Sequence, residues 1–256
     1  MRYLNQLFVL YSNVVKALSC IPVPLVLRQC FFKAFGKVFL KMNKKDFLEI
    51  LEPLNSFNCI SSFFCRKIDL KLRPVSQEAL ISPCDGVISE CGDINSLEQM
   101  IRVKGKPYSL TKLLNNSTLS SKYTNGSYIV IYLSPRNYHR FHAPCSGKIE
   151  YLDFIPGSCF PVNKIGQVLS KDVYAQNARV ILEATEQGSK ICMAIVGACA
   201  VCGIKITNKK GDTLNEGEEI GMFELGSSIV LISDKKINNT LGLKNKTVKA
   251  RGSILN

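Results

Sequence analysis

The sequence predicts an α+β fold, with amphipathic helices at the N-terminus followed by a β-rich domain. Three observations predict it. Residues 30–45, CFFKAFGKVFLKMNKK, carry apolar side chains at helical spacing. Pro74 closes the helical part. From residue 76 onward, short β-branched or alternating runs stand between Gly, Pro, Asn and Asp, as strands do between turns.

In the N-terminal part, residues 1–50 hold eight Lys/Arg against Asp46 and Glu49, a net charge of +6. The whole chain carries +13, so its surface favours anionic partners. The same fifty residues are rich in Phe, Leu and Val. Basic and apolar residues together point to an anionic membrane surface rather than to nucleic acid. A spanning helix needs about 20 apolar residues. Tyr3 to Val15 is too short, Lys16 interrupts it, and Pro22 and Pro24 break the chain beyond. Lys16 also argues against a secretory signal.

The helix expected over 30–45 places Phe31, Phe32, Phe35, Val38, Phe39 and Met42 on one face, flanked by Lys33, Lys37 and Lys41. Such a helix either packs on its own domain or lies in a bilayer interface with its lysines towards headgroups. Both can hold, one face at a time.

The expected strands include SYIVIYL (127–133), KIEYLDF (148–154), RVILEA (179–184), KICMAIVGACAVCGIKI (190–206) and SSIVLI (227–232). SPCDGVISE (82–90) and APCSGKIEY (143–151) echo each other, each a Pro-led glycine turn into a strand. The eleven cysteines are scattered, which suits a reducing compartment better than a disulfide framework. Cys199-x-x-Cys202 lies in an apolar run with no second such pair, so it reads as buried small residues rather than a metal site.

Chemistry concentrates in few places. The chain has two histidines, His139 and His142, both in SPRNYHRFHAPCSG (134–147) beyond the strand SYIVIYL. Any histidine base must come from this segment, although two polar loop residues would look the same. Asp85, in a Pro-Cys-Asp-Gly turn, is a candidate orienting carboxylate or simply a turn residue. Ser227 follows Gly226 at the mouth of an apolar strand. A serine hydroxyl beside a glycine carbonyl can attack it once a base removes its proton.

From about Ser56 to Ile232 the chain resembles the phosphatidylserine decarboxylase proenzymes. SFNCISSFFCRKIDLKLRPV (56–75) resembles that family's Phe-Phe-x-Arg…Arg-Pro segment, and SPCDGVI its Ser-Pro-x-Asp-Gly turn. YHRFHAPCSG is similar to its Tyr-His-Arg-x-His-x-Pro signature, and PGSCFPVN (156–163), NARVIL and VGACAVCGI match further segments in order. KGDTLNEGEEIGMFELGSS (210–228) resembles its Gly-Ser-Thr ending. Ser228 stands where Thr is usual, Ala178 where Glu is usual and Cys159 where Leu is usual.

The resemblance implies a β-rich catalytic domain (76–256) behind a membrane-associating helical segment (1–75). It implies Asp85, His142 and Ser227 as a self-cleavage triad, with Asp85 holding the His142 tautomer, and His139 near the substrate. Cleavage between Gly226 and Ser227 would leave chains 1–226 and 227–256 as a heterodimer and convert Ser227 to a covalent pyruvoyl cofactor, with no metal. The implied reaction decarboxylates phosphatidylserine to phosphatidylethanolamine. The implied partners are phosphatidylserine and an anionic membrane, reached from the cytoplasmic face of a bacterial cell; self-association is left open, and nucleic acid is not a partner. A close alternative is a homologue acting on another headgroup lipid.

Three rivals make different demands. A lipoyl- or biotinyl-type carrier needs a lysine at an exposed hairpin tip, and no Met-Lys-Met or Asp-Lys-Ala occurs. A serine hydrolase would keep Ser227 intact in one uncut chain. A nucleic-acid binder would interleave basic and aromatic residues on a β face, but here they gather in the N-terminal segment.

Overall fold

The computed structural model describes residues 2–78, 80–94, 100–103, 106–162, 172–186, 188–198, 203–224, 227–237 and 240–255. Gly226 and the Cys199–Cys202 pair lie outside the described residues.

Helices come first. Helix α1 (Arg2–Ser19) is followed by α2 (Arg28–Val38), α3 (Lys44–Leu48) and α4 (Ile60–Phe64). The helix expected over 30–45 is therefore two helices. Lys41 adopts a positive φ of 57° and the Met42 N–H turns back to the Gly36 carbonyl, which ends the run. Asn43 then starts α3 with a capping box, its side chain accepting from Asp46 N–H while the Asp46 carboxylate accepts from Asn43 N–H. Gly36 lets the two pack: a Cβ there would stand 2.6 Å from Phe47 Cζ. Phe32 is buried against Phe57 and Phe63, whereas Val38 and Phe39 face outward, Phe39 at 73% exposure. One face of α2 thus builds a small core, and the residues at its end are left bare.

The strands are β1 (Gly86–Asp93), β2 (Met100–Val103), β3 (Lys106–Ser109), β4 (Ser127–Leu133), β5 (Arg140–His142), β6 (Gly147–Ile155) and β7 (Arg179–Glu186). The remainder are β8 (Ser189–Gly197), β9 (Ile204–Ile206), β10 (Thr213–Leu214), β11 (Glu219–Phe223), β12 (Ser227–Ser233) and β13 (Thr247–Val248). Short helices α5 (Leu110–Leu114), α6 (Ser117–Ser121) and α7 (Val173–Gln176) lie between them.

An eight-stranded antiparallel sheet runs β10-β6-β7-β8-β12-β4-β1-β13, and a three-stranded sheet runs β5-β11-β9. Strand β12 sits inside the large sheet, paired with β4 on one side and β8 on the other. All seven of its residues are buried. Its side chains alternate between two cores, as the period-2 pleat requires. Ile229 and Leu231 join Ile129, Ile131, Phe141 and Phe223 on the side of the small sheet. Val230 and Ile232 join Val130, Tyr174 and the α5 leucines on the other. Burial on both faces explains why this strand reads as an unbroken apolar run.

The two echoing turns lie side by side. Ile81 N–H donates to the Pro144 carbonyl at 3.2 Å, and His142 N–H donates to the Pro83 carbonyl at 2.7 Å. The Asp85 turn is thereby pinned to the histidine segment by backbone alone.

Candidate active site

Ser227 opens β12 opposite Leu133 of β4 and Gly197 of β8. It is 1% exposed, and its Oγ is buried without a hydrogen-bond partner among the described residues. A buried hydroxyl without a partner costs free energy, so its retention asks for an explanation in chemistry. The neighbouring Ser228 hydroxyl points to the opposite face, 3.3 Å from the Tyr174 hydroxyl. The second hydroxyl beside the expected cleavage point is thus engaged elsewhere.

The histidine loop leaves β4 and returns as β5, which pairs with β11; Phe223 N–H donates to the His139 carbonyl at 2.8 Å. The loop is therefore tied four residues before Ser227. His139 is fully buried against the Phe64 ring, 4.0 Å between centroids. Its Nδ1 lies 2.8 Å from the Asn137 carbonyl. A carbonyl can only accept, so Nδ1 carries the proton and Nε2 keeps its lone pair. That Nε2 is buried and unpartnered among the described residues. Burial pushes the His139 imidazolium pKa down to about 3, and the nearby Arg66 guanidinium adds to the effect.

His142 has the same tautomer. Its Nδ1–H donates to the Gly217 carbonyl at 2.9 Å, and the Tyr138 hydroxyl donates to Nε2 at 3.1 Å. Burial lowers its pKa too, against the pull of the Gly217 carbonyl and nearby carboxylates. The expected Asp85–His142 hydrogen bond is not formed, because every Asp85 acceptor is already engaged. Arg73 grips the carboxylate with both Nη atoms, Ala250 N–H donates to Oδ1 at 3.0 Å, and Lys249 Nζ stands 3.4 Å from Oδ2. The tautomer of His142 is fixed by a backbone carbonyl instead.

Burial alone would raise the Asp85 pKa. The Arg73 guanidinium, then Lys249 and the Ala250 N–H, outweigh that and hold it below the usual carboxylate range. Asp85 is thus a buried anion, and its charge favours the protonated form of both histidines. An imidazolium formed during proton transfer would be stabilised through space.

Several residues around the site lie in segments that carry the resemblance, but their contacts could not be read from the sequence. Arg66 is 3% exposed and donates to the carbonyls of Phe63, Arg136 and Asn137; burial pushes its pKa down to about 10. Its Asn137 bond shares the acceptor that fixes His139. Asn177 bonds Phe160 through N–H and carbonyl, and also the Gly197 carbonyl opposite Ser227. Arg179 donates to the Lys112 and Leu113 carbonyls at the end of α5. Cys159 is joined in a disulfide, while eight described cysteines are not; composition alone did not anticipate that bridge.

The pyruvoyl group would be made from Ser227 itself. The residues fit it: a buried hydroxyl with no partner among the described residues at the head of a strand held on both sides, and two neutral imidazoles on the loop tied to Phe223.

The model of the phosphatidylserine decarboxylase family matches residues 60–255. Over 240 residues the chain is 32% identical to the phosphatidylserine decarboxylase proenzyme of Anoxybacillus flavithermus, covering 92% of this chain and 88% of that protein. It is 39% identical over 181 residues to the proenzyme of Bacillus subtilis, covering 70% and 68%. For the proenzyme of Geobacillus kaustophilus the identity is 34% over 189 residues, covering 73% and 71%. With more than half its length matched and these relatives spanned over two thirds or more, the chain belongs to the phosphatidylserine decarboxylase family.

Proposed function

We propose that this chain cleaves itself between Gly226 and Ser227 and then decarboxylates phosphatidylserine, using His142 as the base in the first step and His139 at the substrate in the second. The buried Ser227 hydroxyl, without a hydrogen-bond partner among the described residues, carries this reading. It supplies a nucleophile on the residue joined through its backbone nitrogen to the Gly226 carbonyl.

In maturation, His142 Nε2 takes the Ser227 proton, and Oγ attacks the Gly226 carbonyl to give an ester. Tyr138 must release that nitrogen first, since its hydroxyl is donated there. Elimination returns a carboxylate to Gly226 and leaves dehydroalanine at 227. Tautomerisation and hydrolysis by one water then release ammonia. Asp85 contributes charge to the imidazolium rather than a direct hydrogen bond.

In turnover, the pyruvoyl carbonyl supplies a sink for the electron pair freed with CO2. His139 Nε2, neutral and buried, is suited to take and return the proton at the substrate carbon. Arg66 and Asn137 hold that ring in place.

Residues 1–75 serve as a peripheral anchor and residues 76–256 as the catalytic domain. Among the described residues no helix is long and apolar enough to cross a membrane. Leu10, Leu18, Ile21, Val26 and Phe39 are exposed, Val26 at 87%, on the segment that carries the basic excess. The cytoplasmic leaflet, with its anionic lipids, suits such a surface.

The test uses vesicles holding phosphatidylserine labelled in the serine carboxyl. The protein should release labelled CO2, and the Ser227→Ala protein should release none. Equal release by both would overturn the reading.

A further inference from the structure

We infer that Arg73, Lys249 and the backbone N–H of Ala250 form a positioning clamp on Asp85 for self-cleavage, so that the tail of the small chain takes part in the cut that creates it. The inference rests on the reading of Asp85 as part of the processing centre.

A carboxylate offers about four lone-pair positions, and here each oxygen has two donors. Oδ1 takes Arg73 Nη1 and the Ala250 N–H; Oδ2 takes Arg73 Nη2 at 3.2 Å and Lys249 Nζ at 3.4 Å. The donors come from both sides of Asp85 in the sequence. Arg73 precedes Pro74, whereas Lys249 and Ala250 come after β13. The tail brackets the Asp85 turn as well. Strand β13 pairs Val248 with Gly86, Ser82 N–H donates to the Gly252 carbonyl, and Arg251 N–H donates to the Ser82 carbonyl.

The clamp is balanced in charge. Glu49 holds the far side of Arg73 and lies 3.8 Å from Lys249, giving two carboxylates and two cations. It also reaches the base. The Arg73 guanidinium stands 5.8 Å from the centre of the Tyr138 ring, and the Tyr138 hydroxyl is bonded to His142 Nε2. Arg73 therefore links Asp85 to His142 where no direct bond exists. Cys84, Tyr138, His139, His142 and Arg66 are the other titratable groups that sense the Asp85 charge.

The experiment follows self-cleavage of the freshly synthesised full chain against time and pH. Lys249 is part-exposed, so Lys249→Met separates clamping from core packing. Its self-cleavage should slow about tenfold, as loss of a charge-assisted bond implies. Its acid limb should move to higher pH, because Asp85 then protonates more readily. Lys249→Arg should restore both. Arg73→Lys should be slowed further, since one ammonium cannot grip two carboxylates at once. Thermal melting of Lys249→Met should match the parent. Parent rates and pH profiles for both Lys249→Met and Arg73→Lys would overturn the clamp. Asp85→Asn separates the two readings. If it is cut at the parent rate, Asp85 has no part in processing. If it stays uncut while Lys249→Met and Arg73→Lys behave as parent, the clamp alone fails.

Discussion

His139 donates Nδ1–H to the Asn137 carbonyl across 2.8 Å and holds Nε2 as a buried lone pair without a partner among the described residues. Its pKa falls from the usual 6.5 to about 3, so between those values the unfolded chain binds a proton that the folded one refuses. Stability supplied by the neutral ring is complete above the unfolded value and is lost as pH falls through this window. His139→Gln should flatten the fall in urea stability between neutral and mildly acid pH. An unchanged slope would mean that His139 titrates normally.

The two histidines separate by stage. His142→Ala should remain a single uncut chain. His139→Ala should be cut but release CO2 at least about a hundredfold more slowly, the scale of lost acid–base help. Denaturing gels and CO2 release from one preparation check both. A cut His142→Ala protein would transfer the base to another group.

The proposed cut would put strand β12 in the small chain, and its pairing with β4 and β8 should keep that chain bound afterwards. The cut protein should elute as one species and separate only on unfolding. Ile229 is fully buried between the sheets. Ile229→Ala should cost about 2–5 kcal/mol, read as a lower urea midpoint.

Docking to an anionic bilayer should track the lysines and the bare apolar residues of the N-terminal segment. Each basic residue near such a surface contributes about 1 kcal/mol. Lys33→Gln with Lys37→Gln should therefore weaken binding to phosphatidylglycerol vesicles roughly 30-fold. Phe39→Ser should weaken it further, with less dependence on salt. Flotation at two salt concentrations reads both effects.

Much of this was legible in the sequence because the signals are local. Strand β12 is an apolar run buried on both faces, and two histidines in a whole chain narrow the base to one loop. The helix boundary was misplaced because apolar spacing continues past Val38, while the capping box at Asn43 marks the true restart. The surroundings of Asp85 were not legible. Its partners lie 12, 164 and 165 residues away, and only the fold brings them together. Nor could sequence show that backbone carbonyls of Asn137 and Gly217 fix the histidine tautomers, since a carbonyl has no side-chain signature.

Self-cleavage at Gly226–Ser227 is decided by the intact mass of purified, CO2-releasing protein together with the chemistry of the small chain's amino end. Two chains are expected, residues 1–226 and 227–256, the second beginning with a blocked, ketone-bearing group. A single active species of 256 residues with an ordinary serine at 227 would contradict it.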